Sequence, residues 1–156
     1  MKWVLLGLYS DSYTTPDVMF FHTEADVLKF ISDTCTEWEE PRVEIGYVDQ
    51  SSFSNEEHMR VTIDDDCGNF YVCEVFPIKK TTNYIAIEYH AYEGVDFKRT
   101  ECITEEEARE VIDKSFNEII EDDVYEIVDQ DRDESSYLID DNYEWHIGDI
   151  YKVPVE

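Results

Sequence analysis

The sequence predicts an α+β protein made of two tandem ββαβββ-like repeats, with mostly antiparallel sheet and a pseudo-twofold arrangement. Three observations predict this class: apolar runs of strand length, one pattern of helical period in each half, and segments that recur about 80 residues apart. Hydrophobic residues make up 42% and aromatic residues 14% of the chain. This composition is typical of a folded protein, although the formal net charge is −27.

In the first half, a helix is predicted to begin after Thr23, because threonine is a good N-cap and Asp26 stands at the third helical position. The turn at 66–69 has hairpin character, since it contains Gly68 and Asn69. Five strands are predicted around these two features, at about 2–9, 17–22, 42–48, 58–64 and 69–78.

In the second half, Thr104 and Glu107 have the spacing of a capping box, which predicts a helix start. Apolar residues recur after it at helical spacing and should face the core; they are Ala108, Val111, Ile112, Phe116 and Ile119. Five strands are predicted in this half, at about 83–91, 95–102, 124–129, 136–140 and 143–154.

The two halves resemble each other in order along the chain. Segment 3–9 resembles 84–90 at an offset of 81, and Thr23-Glu24 matches Thr104-Glu105 at the same offset. Each half ends on a similar segment, 75–78 in the first and 152–155 in the second. The sequence therefore predicts one repeat over 1–79 and another over 80–156, small enough to share one sheet or core.

Acidic residues dominate both halves. Residues 1–79 contain sixteen acids and five bases, and residues 80–156 contain twenty-three acids and seven bases. Ordinary protein surfaces intersperse the two signs, and this one does not. Since repulsion among like charges weakens a compact state, we expect the acids to serve a strongly basic partner.

The candidate partner-binding residues come from the polar face and acidic end of the second helix, from the loop after residue 128, and from two hairpin tips. They are Glu105, Glu106, Glu110, Asp113, Glu118, Glu121, Asp122, Asp123, Asp129, Asp131, Asp133, Glu134, Asp64, Asp65, Asp66, Asp140 and Asp141. Exposed aromatic residues are expected to add specific anchors; the candidates are Tyr89, Tyr92, Tyr137 and Trp145.

Motifs of catalysis and cofactor binding are absent from the sequence. There is no GxGxxG, GxxxxGK[ST] or GxSxG, the histidines lack i, i+4 spacing, and the cysteines form no CxxC pair. The segment 129–140 resembles the start of a calcium loop, but Glu134 stands where that loop needs glycine. We expect no enzymatic activity, no cofactor, no metal site, and four histidines that are ordinary surface or strand residues.

The same features bound location and partners. The apolar run 3–8 is too short for a signal core or a membrane span, and the cysteines are expected to be reduced, so a cytoplasmic protein is predicted. No basic stripe is present, so direct nucleic-acid binding is not expected. The sequence leaves open whether the protein forms a homodimer.

In size, acidity and compactness the chain resembles the acidic DNA-mimic inhibitors of phages and mobile elements, of the anti-CRISPR and anti-restriction type. The resemblance covers overall character, and no motif residue carries over. It implies a non-enzymatic inhibitor, in the host-cell cytoplasm, that occupies the basic nucleic-acid-binding channel of a CRISPR effector nuclease or a restriction enzyme. The alternative is an immunity or regulatory protein that binds a basic toxin or protein patch without mimicking nucleic acid, and a third reading is a halophilic housekeeping domain.

Overall fold

The computed structural model of this chain describes residues 2–10, 17–38, 40–48, 58–65, 67–91, 95–121, 127–131, 136–140 and 145–155. These residues form two helices and two antiparallel sheets. The predicted α+β class with mostly antiparallel pairing is confirmed. The described residues divide into two compact units, the first within 2–80 together with 154–155 and the second within 81–153.

The first unit contains one helix and five strands. They are β1 (Trp3–Tyr9), β2 (Asp17–Phe21), α1 (Glu24–Thr36), β3 (Arg42–Val48), β4 (His58–Asp64) and β5 (Phe70–Pro77). The strand order is β2-β1-β5-β4-β3, and every neighbouring pair is antiparallel. Alternate strand residues such as Leu5, Val61 and Cys73 pack with Val27 and Ile31 of α1 into one apolar core.

The second unit also contains one helix and five strands. They are β6 (Tyr84–Ala91), β7 (Val95–Cys102), α2 (Glu105–Glu121), β8 (Ile127–Asp131), β9 (Ser136–Asp140) and β10 (Trp145–Lys152). The strand order is β7-β6-β10-β9-β8, again antiparallel throughout. Ala86 and Cys102 of the sheet pack with Ala108, Ile112 and Phe116 of α2.

Both predicted helix starts are confirmed. The backbone N–H of Asp26 donates to Thr23 Oγ1 at 3.1 Å, and that of Glu107 donates to Thr104 Oγ1 at 3.1 Å. The Glu107 carboxylate completes the capping box by accepting from the backbone N–H groups of Ile103 and Thr104. No helix in the described part of the chain is long and apolar enough to cross a membrane.

The second unit depends on a close approach between α2 and β10. A Cβ atom placed on Gly148 would lie 2.9 Å from Ile112 Cγ2 and 3.3 Å from the Phe116 ring. A glycine at this position lets the helix pack directly on the strand. Gly46 lies on strand β3 of the first unit and is exposed. A Cβ atom placed on Gly46 would have no neighbouring atom within 4 Å.

We therefore expect Gly148→Ala to lower the free energy of unfolding by about 1–3 kcal/mol, because the extra methyl group overpacks the contact with Ile112 and Phe116. Urea titration followed by circular dichroism measures this difference. Gly46→Ala is the matched control and should leave the midpoint within experimental error or raise it slightly. Equal effects of the two substitutions would contradict the packing described for α2.

Candidate partner-binding surface

Helix α2 turns an acidic face away from its sheet. Ala108, Ile112 and Phe116 are buried on one side, and the predicted acids occupy the other side. Five of the candidate residues are exposed, namely Glu105, Glu106, Glu110, Glu118 and Glu121, and Asp113 is half-buried. Because apolar residues recur at helical spacing on one side of α2, the acids lie on the opposite, exposed side, where a partner can reach them.

The acids of α2 run along most of its length. Seven acids, including Glu107 of the capping box, lie between Glu105 and Glu121, a distance of about 24 Å at the rise of an α-helix. Two bases, Arg109 and Lys114, interrupt them, which leaves a net charge of −5 on the helix. The helix is thus a nearly continuous anionic edge.

The C-terminal end of α2 adds to this negative potential. Its last turn contains no basic residue, and Glu118 and Glu121 stand where the helix dipole favours cations. These acids are locally unfavourable, so the fold does not account for them. Asp122 and Asp123, predicted to continue this end, lie outside the described residues.

Two described acids of the hairpin between β4 and β5, Asp64 and Asp65, have different hydrogen-bond partners. Arg42 Nε donates to Asp64 Oδ1 at 2.7 Å, so the charge of Asp64 is compensated. Asp65 accepts from the backbone N–H groups of Cys67 and Asn69 and from the Asn69 side chain. The Asn69 side-chain hydrogen bond, with these backbone bonds and the charge of Arg42, lowers the pKa of Asp65 despite some desolvation. Asp65 therefore keeps a fixed negative charge.

The remaining predicted acids belong to strands β8 and β9 or lie outside the described residues. Asp129, Asp131 and Asp140 belong to β8 and β9, where the register pairs Asp140 with Ile127. Nothing is described of the side chains of these strands. The other candidates, Asp66, Asp133, Glu134 and Asp141, lie outside the described residues.

The prediction that Tyr89 is an exposed aromatic anchor is wrong. It is buried, with a T-shaped contact to Phe97 at 5.1 Å between ring centroids, because it alternates with Glu88 and faces the other side of β6. Trp145 is half-buried. The side chains of Tyr92 and Tyr137 are not described.

Sequence analysis missed two buried carboxylates. In the first unit, Glu74 is 2% exposed and accepts from Arg60 Nη1 at 2.9 Å. His58 Nε2 lies 3.2 Å from the same Glu74 oxygen, and the His58 ring stacks on Phe76 at 4.5 Å. A buried carboxylate needs such partners, since desolvation of an isolated charge is costly.

In the second unit, Glu88 is fully buried on the sheet face that α2 covers. His90 Nε2 lies 3.3 Å from one Glu88 oxygen, and Lys98 Nζ lies 3.7 Å from the other. Burial alone would raise the pKa of Glu88, but interactions with His90 and Ser115 and the charge of Lys98 lower it below the ordinary value. Glu88 is therefore an ionised group inside the core.

A pair of histidines extends the Glu88 cluster. His90 Nδ1 and His146 Nδ1 are 2.7 Å apart, so one of these nitrogens carries the proton that the other accepts. His58, His90 and His146 are strand residues as predicted, but all three are buried polar groups, and none is an ordinary surface residue. Only His22 is exposed.

The sequence carries a weak signal for these clusters. Glu74 and Glu88 each interrupt an otherwise apolar strand, in 70–77 and 84–91. In a chain with 39 acids, a single glutamate within a strand is not a distinctive signal. The partners lie on neighbouring strands, where only the register identifies them.

No three His, Cys, Asp or Glu side chains of the described residues come together as a metal-binding group. The four cysteines are free thiols, as expected. Burial, together with the nearby Glu74 charge, raises the pKa of Cys73 to about 12, so this thiol is not a nucleophile at neutral pH.

Comparison with protein-family models, with curated proteins and with solved structures finds no match to this chain.

We expect Glu88→Gln to lower the free energy of unfolding at pH 7 by about 1–3 kcal/mol, because the charge facing Lys98 and His90 is lost. The lowered pKa of Glu88 means that its contribution is present above the ordinary value of 4.5 and is lost as pH falls through the folded-state pKa. Urea titrations between pH 7 and pH 3 should therefore show the gap between the two proteins closing at the acidic end.

Glu44→Gln is the matched control, since it removes the same charge from an exposed position of β3. It should change stability little at any pH in this range. A gap for Glu88→Gln that stays constant down to pH 3 would show that folding does not lower the pKa of Glu88, and a gap that widens toward acid would show that folding raises it.

Proposed function

We propose that this protein is a non-enzymatic inhibitor that mimics nucleic acid and occupies the basic nucleic-acid-binding channel of a host defence protein, such as a CRISPR effector nuclease or a restriction enzyme. The observation that carries the proposal is the exposed acidic face of α2, which runs from Glu105 to Glu121 on a helix anchored by its apolar side.

The spacing of this face supports mimicry of a phosphate row. One DNA strand carries about seven phosphates over the roughly 24 Å that α2 spans, since successive phosphates are about 3.4 Å apart along the axis. The helix carries seven acids over the same length. Binding of these carboxylates in a channel lined with Lys and Arg would release bound counterions into solution, as binding of DNA does.

The distribution of bases also supports the proposal. Four bases of the described residues form ion pairs with acids of the sheets: Arg42 with Asp64, Arg60 with Glu74, Lys98 with Glu88 and Arg99 with Glu101. Two of these acids, Glu74 and Glu88, are buried, so their partners serve the fold. The excess negative charge is thereby concentrated on exposed positions.

We also propose that the two units are tandem copies of one ββαβββ element. The strand orders support this, because β2-β1-β5-β4-β3 and β7-β6-β10-β9-β8 correspond element by element. The registers support it too. Trp3 pairs with Phe21 and Pro77, and Tyr84 pairs with Cys102 and Lys152.

On this correspondence Pro77 matches Lys152, two residues earlier than the match between 75–78 and 152–155 that the sequence suggested. Each copy then supports its own charged surface, and the second is the more acidic.

The test is retention and release of basic proteins. The immobilised chain is incubated with nuclease-treated bacterial lysate at about 50 mM NaCl, and retained proteins are challenged at fixed ionic strength with duplex DNA, RNA or polyglutamate of equal total charge. We expect release by DNA or RNA at a lower charge concentration than by polyglutamate. Raising NaCl to about 200 mM should weaken retention at least about tenfold.

A pair of triple variants locates the surface. Glu110→Gln/Glu118→Gln/Glu121→Gln removes three exposed acids from α2, and Glu24→Gln/Asp33→Asn/Glu44→Gln removes three exposed acids from the first unit. We expect the α2 variant to lose retention and the control to keep it. Equal loss by both variants would contradict a role for α2, and retained proteins that nucleic acid does not release would favour an immunity protein instead.

A further inference from the structure

A surface cavity of about 360 Å³ lies at one end of the first unit's sheet. Three elements form it: the end of β1, the turn between β4 and β5, and the C-terminus of α1. Its lining residues are Tyr9, Ser10, Glu37, Trp38, Asp65, Asn69 and Phe70. Its volume is in the lower part of the range of about 300–1,000 Å³ that small-ligand pockets occupy.

Three aromatic rings make the walls of this cavity, and each is half-buried. Tyr9 packs against Tyr71 with ring centroids 4.4 Å apart, and Trp38 packs against the apolar core of the first unit. Phe70 is fixed by its backbone, since Phe70 N–H donates to Ser10 Oγ at 3.1 Å and Ser10 N–H donates to Phe70 O at 2.9 Å. The rings are therefore held in place before any ligand arrives.

Two carboxylates share the cavity with these rings. Asp65 is held by hydrogen bonds from Cys67 and Asn69, and its lowered pKa keeps it ionised at neutral pH. Glu37 is exposed and caps the C-terminus of α1. No lining residue is basic, and the nearby Arg42 donates from Nε to Asp64 and from Nη2 to the backbone carbonyl oxygen of Asp65 at 3.4 Å, which leaves the Asp65 carboxylate to its bonds with Cys67 and Asn69.

The end of α1 adds to the negative potential of the cavity. The helix dipole places partial negative charge at its C-terminus, and the last turn of α1 contains no basic residue. Aromatic faces, two carboxylates and a helix C-terminus all favour a cation. A planar guanidinium fits this combination better than an ammonium, because it can stack on a ring while it donates to carboxylates.

We propose that this cavity binds an arginine side chain presented by a protein partner. The guanidinium stacks against Trp38 or Tyr9 and donates hydrogen bonds to Glu37 and Asp65. Such a site supplies the specific anchor that distributed surface charge lacks. It does not depend on nucleic-acid mimicry, because any partner with a protruding arginine could use it.

The test uses a small ligand and the full chain. Indole N–H signals of Trp3, Trp38 and Trp145 are followed by two-dimensional NMR during titration with Nα-acetyl-arginine methylamide at constant ionic strength. The lysine and citrulline analogues are titrated in parallel. Trp38→Phe assigns the Trp38 signal. We expect the Trp38 signal to shift with arginine at millimolar affinity on the order of 1–10 mM, less with lysine, and not with uncharged citrulline.

Glu37→Gln is the deciding variant, because an exposed cap residue can change without disturbing the core. It should weaken arginine binding about threefold to tenfold. Glu24→Gln removes the same charge at the other end of α1 and should change binding less than about twofold. Shifts with citrulline equal to those with arginine would overturn the proposal, as would equal effects of Glu37→Gln and Glu24→Gln. The readout needs no protein partner, so its outcome is separate from that of the nuclease-inhibitor proposal.

Discussion

Charge compensation inside each unit is the constraint on which the rest of this structure depends. The chain has 12 bases for 39 acids, and both sheets bury a glutamate. A buried carboxylate without a partner would cost several kcal/mol, so Arg60 and Lys98 are placed beside Glu74 and Glu88. These two ion pairs are local, and the exposed face of α2 is strongly negative because its seven acids are accompanied by two bases.

The two units meet this constraint with different interiors on the same strand plan. The register places the Tyr9–Tyr71 ring pair of the first unit at the positions that His90 and His146 hold in the second. Gly7, next to Tyr71 in the first unit, corresponds to Glu88 in the second. An aromatic contact in one unit is therefore a polar cluster in the other. The first unit keeps its aromatic residues near the cavity, and the second carries the more acidic helix.

Local pattern was enough to predict most of the secondary structure. Strand alternation gave 42–48, 58–64 and 95–102 with the bounds that the structure has, and the T-x-x-E spacing at Thr104 gave the start of α2. The sequence could not reveal features that depend on a neighbouring strand. Glu88 is unremarkable until the register sets it opposite Lys98, and the cavity exists because Trp38 and Asp65, far apart in sequence, meet at one end of a sheet. β8 is described from Ile127 to Asp131, where a strand was expected at about 124–129, and residues 124–126 lie outside the described part of the chain.

We propose that the acids at the end of α2 serve a partner and do not stabilise the fold. The most direct measurement is the free energy of unfolding in urea of the wild type and of Glu118→Gln/Glu121→Gln, at about 10 mM and 1 M NaCl, where the Debye length falls from about 30 Å to about 3 Å. We expect the double variant to be more stable by roughly 1 kcal/mol at low salt, because repulsion and an unfavourable dipole interaction are relieved, and we expect the difference to vanish at high salt. A double variant that is less stable than the wild type at both salt concentrations would contradict it, since these carboxylates would then be part of what holds the helix in place.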